Sequence, residues 1–206
     1  MTDYRKLFDL TGKTAVVLGA ASGIGKSSAE ALASLGASVF CADKSQEGAQ
    51  ATAADIRNQG GSAEATACDG ADADDVTMLA NTVMQKYPRL DIAVTTPGLN
   101  IRKTILDYTE EDLDSVINLN LKGTIFFFQA FGRIMVEQKG GSLIACSSVR
   151  AVTIEPGLAV VWRDQGRDRL AGEGLCLRGR PCRCTRQRDR AQHRGDRADQ
   201  PVQAAS

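Results

Sequence analysis

No stretch of this chain reaches the roughly 18 consecutive apolar residues that a membrane-spanning helix needs, which excludes a transmembrane protein. The opening residues, Met1-Thr2-Asp3-Tyr4-Arg5-Lys6, lead into no apolar segment of the kind a secretory signal carries, so a cytoplasmic protein is expected. Six cysteines do not make a disulfide scaffold of 206 residues. Cys41, Cys68 and Cys146 sit far apart in apolar segments and read as buried free thiols. Cys176, Cys182 and Cys184, with the single histidine His193, fit no standard zinc-ligand spacing, so no metal is expected. Lysine is missing from residues 162–206, which carry 11 arginines against 6 acids, whereas residues 1–161 carry 14 basic against 19 acidic residues. The formal net charge of zero therefore conceals two parts of opposite sign. With 43% apolar and 24% charged residues the whole is of soluble, globular composition.

Over the first 150 residues, short apolar runs alternate with amphipathic stretches. Strands are expected at 14–18, 37–42, 63–68, 92–95 and 142–146, and helices at 26–35, 46–59, 72–87, 109–118 and 122–138. Gly36, Gly60-Gly61 and Gly140-Gly141 stop helices. Thr109-x-x-Asp112 has the form of a capping box. Strand–helix–strand repetition at this spacing implies an α/β fold, a doubly wound parallel sheet with helices on both faces. The pattern ends near Val160. Residues 161–206, about a quarter arginine, have too little aliphatic periodicity to bury a core, and a disordered tail is expected there. The tail has one aromatic residue and matches no nucleic-acid-binding module, so no nucleic-acid partner is expected.

Between the first strand and the first helix lies Gly19-Ala20-Ala21-Ser22-Gly23-Ile24-Gly25. Gly19 permits a tight turn, Gly23 admits a pyrophosphate to the backbone, and Gly25 lets helix and strand pack closely, with a helix N-terminus presenting N–H groups to the phosphates. A tight turn that holds no ligand has the same composition. Asp43 follows the second strand. A carboxylate there accepts hydrogen bonds from an adenosine ribose and repels a 2′-phosphate, favouring NAD over NADP. The neighbouring Lys44 softens that preference, and a solvated loop acid is the plain alternative.

Together these residues resemble the classical short-chain dehydrogenase/reductase family. The resemblance rests on Thr11-Gly12-Lys13-Thr14-Ala15 leading into Gly19-x-x-x-Gly23-Ile24-Gly25, and on Asp43 and Cys68-Asp69-Gly70. Leu119-Asn120-Leu121-Lys122-Gly123 and Ala145-Cys146-Ser147-Ser148 complete it. It spans about residues 7–160. It implies a Rossmann-type domain, truncated here, that transfers a hydride between a nicotinamide and a secondary alcohol or ketone. It also implies a homodimer or homotetramer, no membrane partner, and small-molecule substrates of the sugar-acid, polyol or 3-oxoacyl kind. The implied cofactor-binding residues are Gly19, Ser22, Gly23, Ile24, Gly25, Asp43, Asp69, Thr95 and Gly98. The implied catalytic residues are Asn120, which holds backbone and a proton-relay water, and Ser148, which bonds the substrate oxygen. One departure is Thr95-Thr96-Pro97-Gly98 where the family has Asn-Asn-Ala-Gly. Thr95 still offers a hydroxyl, but the amides that tie neighbouring strands are gone.

The family's tyrosine and lysine belong thirteen and seventeen residues after the serine, where Val161 and Gln165 stand. None of Tyr4, Tyr87 and Tyr108 has a lysine four residues on. A phenol without a cationic neighbour keeps a pKa near 10, so the acid–base pair is missing. Val161-Trp162-Arg163-Asp164-Gln165 is compatible, read one base later, with Tyr-Gly-Ala-Thr-Lys. Thr185 to Ala191 is likewise compatible with Arg-Val-Asn-Ala-Ile-Ala-Pro, which resembles the family's next strand. A one-base change of reading frame near codon 160 is therefore expected, and with it an arginine-rich, lysine-free tail. The chain as it stands is expected to be weakly stable and without turnover. The alternative is a catalytically dead nucleotide-binding protein or pseudogene product.

Overall fold

Every residue of β1 (Thr14–Leu18) is buried, as befits a strand covered on both faces. Its neighbours are β2 (Ser38–Asp43) and β4 (Ile92–Thr95), with β3 (Ser62–Ala67) and β5 (Ser142–Ala145) outside them. All pairings are parallel and the order is β3-β2-β1-β4-β5. The computed structural model describes residues 7–148. The expected tail, its change of reading frame and the cysteines at 176, 182 and 184 lie outside the described residues. Among the described residues no helix is long and apolar enough to cross a membrane. Among them, too, no group of three or more His, Cys, Asp or Glu side chains could hold a metal ion.

Alternation along the strands builds two cores. On one face Val16, Leu18 and Phe40 pack with Val76, Leu79 and Val83 of α3 (Ala73–Lys86) and with Phe127, Phe131 and Met135 of α5 (Thr124–Glu137). The Phe127 and Phe131 rings stand 4.5 Å apart at 48°, a favourable tilted pairing. On the other face Ala15, Val17, Val39 and Cys41 meet Ala29 and Ala33 of α1 (Gly23–Ser34) and Ala49, Ala53 and Ile56 of α2 (Gln46–Asn58). The chain runs outward from β1 to β3 and then crosses back to β4. The strand order thus reverses between β1 and β4, where open α/β sheets bind ligands.

Strand bounds agree with the sequence within a residue, and the Thr109/Asp112 capping box opens α4 (Glu110–Val116). Two differences have physical causes. α1 begins at Gly23 rather than at Lys26, because glycines are weak helix formers and hide its first turn from composition. α4 continues into α5, as the sequence suggested, but the interval is a π-helical stretch, Ile117–Gly123. Its wider turns shift the apolar face and break the 3.6-residue period.

At the amino ends of the strands Asp91 ties β1 to β4. Its carboxylate accepts from Thr14 N–H at 3.2 Å, Lys13 Nζ at 3.1 Å and Arg89 Nε at 2.9 Å. Burial pushes this carboxyl up, but the Arg89, Thr14 and Lys13 hydrogen bonds and the Lys13 charge outweigh it and hold the group below the usual range. A depressed folded-state value means stability that is present above the unfolded value of about 3.9 and lost as pH falls through the folded one. Urea unfolding should therefore show the wild-type advantage over Asp91→Asn level above about pH 5 and shrinking between about pH 4 and pH 2.

Candidate functional site

At the carboxyl ends of β1 to β4 the turns surround a cleft of about 710 Å³. Gly19, Ser22, Gly23, Ile24, Gly25, Asp43, Asp69 and Gly98 all line it. Thr95 does not; it is buried at the end of β4, and Thr96 lines the cleft in its stead. Lys44, Ser115 and Asn118 are further lining residues. Of these only Lys44, beside the Asp43 signal, carried any mark in the sequence.

The glycine-rich turn is held from several sides. Gly19 takes a φ of +90°, open to glycine at little cost. Ala42 O accepts the N–H groups of Gly19 at 2.8 Å and Ala20 at 3.0 Å. The Thr52 hydroxyl donates to Ala20 O at 2.8 Å. The Asp43 carboxylate accepts from Ala21 N–H at 3.0 Å through one oxygen and from Ser45 N–H at 2.9 Å through the other. A Cβ on Gly25 would lie 1.9 Å from Gly19 O, so α1 can seat on the turn only with glycine there.

α1 then starts without a cap. Ser22 makes no side-chain capping bond and the first turn holds no acid, whereas Ser45, Asp72 and Thr109 cap α2, α3 and α4. The first-turn N–H groups of α1 have no intrahelical acceptor, and the helix dipole adds positive potential at the cleft. A Cβ on Gly23 would meet nothing within 4 Å, so the backbone there is open to close approach. These features fit a dinucleotide diphosphate.

Next to Asp43, Lys44 Nζ donates to the Asp69 carboxylate at 2.6 Å. That bond, with the Ala71 N–H at 3.0 Å, holds the Asp69 carboxyl below its ordinary range. Cys68, buried beside it, has its thiol pushed up to about 12 by burial.

Asn120 lies in the π-helical stretch, 2% exposed. Its Oδ1 accepts from Leu99 N–H at 2.7 Å and its Nδ2 donates to Leu99 O at 2.9 Å. The amide thus clamps the backbone beyond β4, 21 residues away. Ser148 is half-buried, three residues past the end of β5. Neither Asn120 nor Ser148 is among the residues lining the cleft. Replacing Asn120 by Leu strips both polar groups of Leu99 of their partner. A loss of about 2–5 kcal/mol is expected, read from urea unfolding together with faster hydrogen exchange at the Leu99 amide.

A model of the short chain dehydrogenase family matches residues 13–160. The D-threitol dehydrogenase of Mycolicibacterium smegmatis is 39% identical over 144 residues, covering 70% of this chain and 55% of that protein. A 3-oxoacyl-[acyl-carrier-protein] reductase of Synechocystis is 37% identical over 151 residues, covering 73% and 61%. The chain thus spans less than two thirds of the length of these curated relatives. A 7α-hydroxysteroid dehydrogenase, solved with NADH and 7-oxo glycochenodeoxycholic acid, superposes with a TM-score of 0.79 at 26% identity, over 85% of this chain and 69% of its own. Structures similar to this one have been solved with NAD, NADH and NADP. The parallel sheet, its reversal of order at the cleft and the family match lead to one conclusion: the chain belongs to the short-chain dehydrogenase family.

Proposed function

We propose that the described residues form the adenosine and diphosphate half of an NAD(H) site. The protein's line of descent transfers a hydride between that cofactor and a secondary alcohol or ketone. The observation that carries this is the uncapped start of α1 opening onto a cleft whose lip holds the Asp43 carboxylate. The first-turn N–H groups of α1 would hold the diphosphate. Asp43 has one backbone N–H on each oxygen, and each oxygen keeps a lone pair for a ribose hydroxyl. Its charge opposes a 2′-phosphate. Lys44, the nearby cation that would attract one, is engaged by Asp69, which supports NAD over NADP. The nicotinamide supplies the hydride chemistry when bound. Asn120 holds the backbone at Leu99, which lines the cleft.

The proton-handling pair is the part this chain does without. Val161 and Gln165 offer neither a phenol nor a cation, so the reading for the chain as it stands is binding without turnover. The names of the relatives support polyols and 3-oxoacyl thioesters as the substrate classes of the lineage. Cys41, Cys68 and Cys146 form no disulfide, which supports a reducing, cytoplasmic setting.

Fluorescence titration with NADH and NADPH tests this. NADH should bind the tighter, and Asp43→Ala should narrow the preference by about tenfold, or 1.4 kcal/mol. Mixtures of NAD with threitol or a 3-hydroxyacyl thioester should give no NADH. Tighter binding of NADPH would overturn the cofactor assignment, and steady NADH production would overturn the loss of turnover.

A further inference from the structure

The turn after β4 contains two adjacent threonines with different surroundings. Thr95 ends the strand, its backbone in register with Leu18 of β1 and Ala145 of β5. Thr96 reaches back over β1. Its N–H donates to Leu18 O at 3.0 Å, and its hydroxyl donates to the same carbonyl at 3.0 Å. Gly19 O lies 3.4 Å from that hydroxyl. The side chain is therefore fastened where β1 passes into the glycine-rich turn.

Its position relative to the glycines is more telling. A Cβ on Gly19 would fall 2.3 Å from Thr96 Oγ1, and one on Gly25 would fall 2.6 Å from it. The hydroxyl occupies the space left by the missing side chains of the first and last glycines of the motif. Pro97 stands behind it, with Cδ 3.1 Å from the same Gly19 Cβ position and a ring that fixes its own φ. The other supports of the turn, from Ala42, Asp43 and Thr52, come from β2 and α2. Thr96 bears on it from the β4 side.

We propose that Thr96 is the positioning residue of the diphosphate-binding turn, its hydroxyl wedged between Gly19 and Gly25 and setting the direction of the N–H groups at the start of α1. This rests on reading that turn as a nucleotide diphosphate site. Removing the hydroxyl leaves the buried Leu18 O with the Thr96 N–H, while Gly19 O, at the cleft, loses only its longer 3.4 Å bond. Thr96→Val therefore leaves the sheet intact. Its methyl group needs more room than the hydroxyl and displaces the turn. Thr96→Ser keeps the wedge.

The test uses the full chain as wild type, Thr96→Val and Thr96→Ser. Calorimetric titration with ADP-ribose, which carries the diphosphate, is set beside ligand-detected NMR of adenosine, which does not. Thr96→Val should weaken ADP-ribose tenfold or more and leave adenosine within about twofold, with a thermal midpoint close to wild type. Thr96→Ser should stay within about threefold of wild type for ADP-ribose. Wild-type affinity of Thr96→Val for ADP-ribose would overturn the proposal. So would equal weakening of both ligands, or a loss that Thr96→Ser shares. A wild-type chain that binds no ADP-ribose would instead overturn the nucleotide reading beneath it.

Discussion

The carboxyl end of the sheet depends on backbone meeting backbone more closely than a side chain permits. Gly25 rests against the carbonyl of Gly19, and Gly123 rests against that of Gly70, where a Cβ would come within 2.4 Å. The first contact seats α1 on the turn after β1. The second seats the π-helical stretch on the turn after β3. Both segments contribute to the lining of the cleft, and a methyl group at either point would have to move a main-chain atom.

The two faces of the sheet serve this arrangement differently. Small residues dominate the side of α1 and α2, with Ala29, Ala33, Ala49 and Ala53 all buried, and small contact residues bring packed elements closer together. That draws the start of α1 toward the end of β1. The other side is filled by Phe40, Phe127, Phe131 and Met135, which supply most of the large apolar bulk. One face thus provides proximity for binding, and the other provides much of the hydrophobic stabilisation. Asn120 links the second face to the cleft, since the helix run that carries Phe127 and Phe131 also carries the amide that grips Leu99.

Much of this was legible in the sequence, and the limits are physical. β1 and β4 were readable to the residue because apolar runs bounded by glycine or charge have one economical structure. The glycine motif and Asp43 were readable because their chemistry is local. The start of α1 was not, since two of the first three residues of its opening turn are glycines, which are weak helix formers. The π-helical stretch was not, because a change in hydrogen-bond offset leaves no mark in composition. Thr95 and Thr96 are identical neighbours, and only the point at which β4 ends decides which one reaches the glycines. The partnership of Lys44 with Asp69 joins residues 25 apart and depends on β2 and β3 ending side by side.

The buried thiols have a consequence of their own. Cys41 and Cys68 are 0% and 1% exposed, and burial pushes their thiols up to about 11 and about 12. Near neutral pH almost none of either exists as the thiolate that reacts with alkylating agents. Modification must then wait for the sheet to part, on one face for Cys41 and on the other for Cys68. The two sulfurs make a built-in pair of clocks, one timing each layer as it opens.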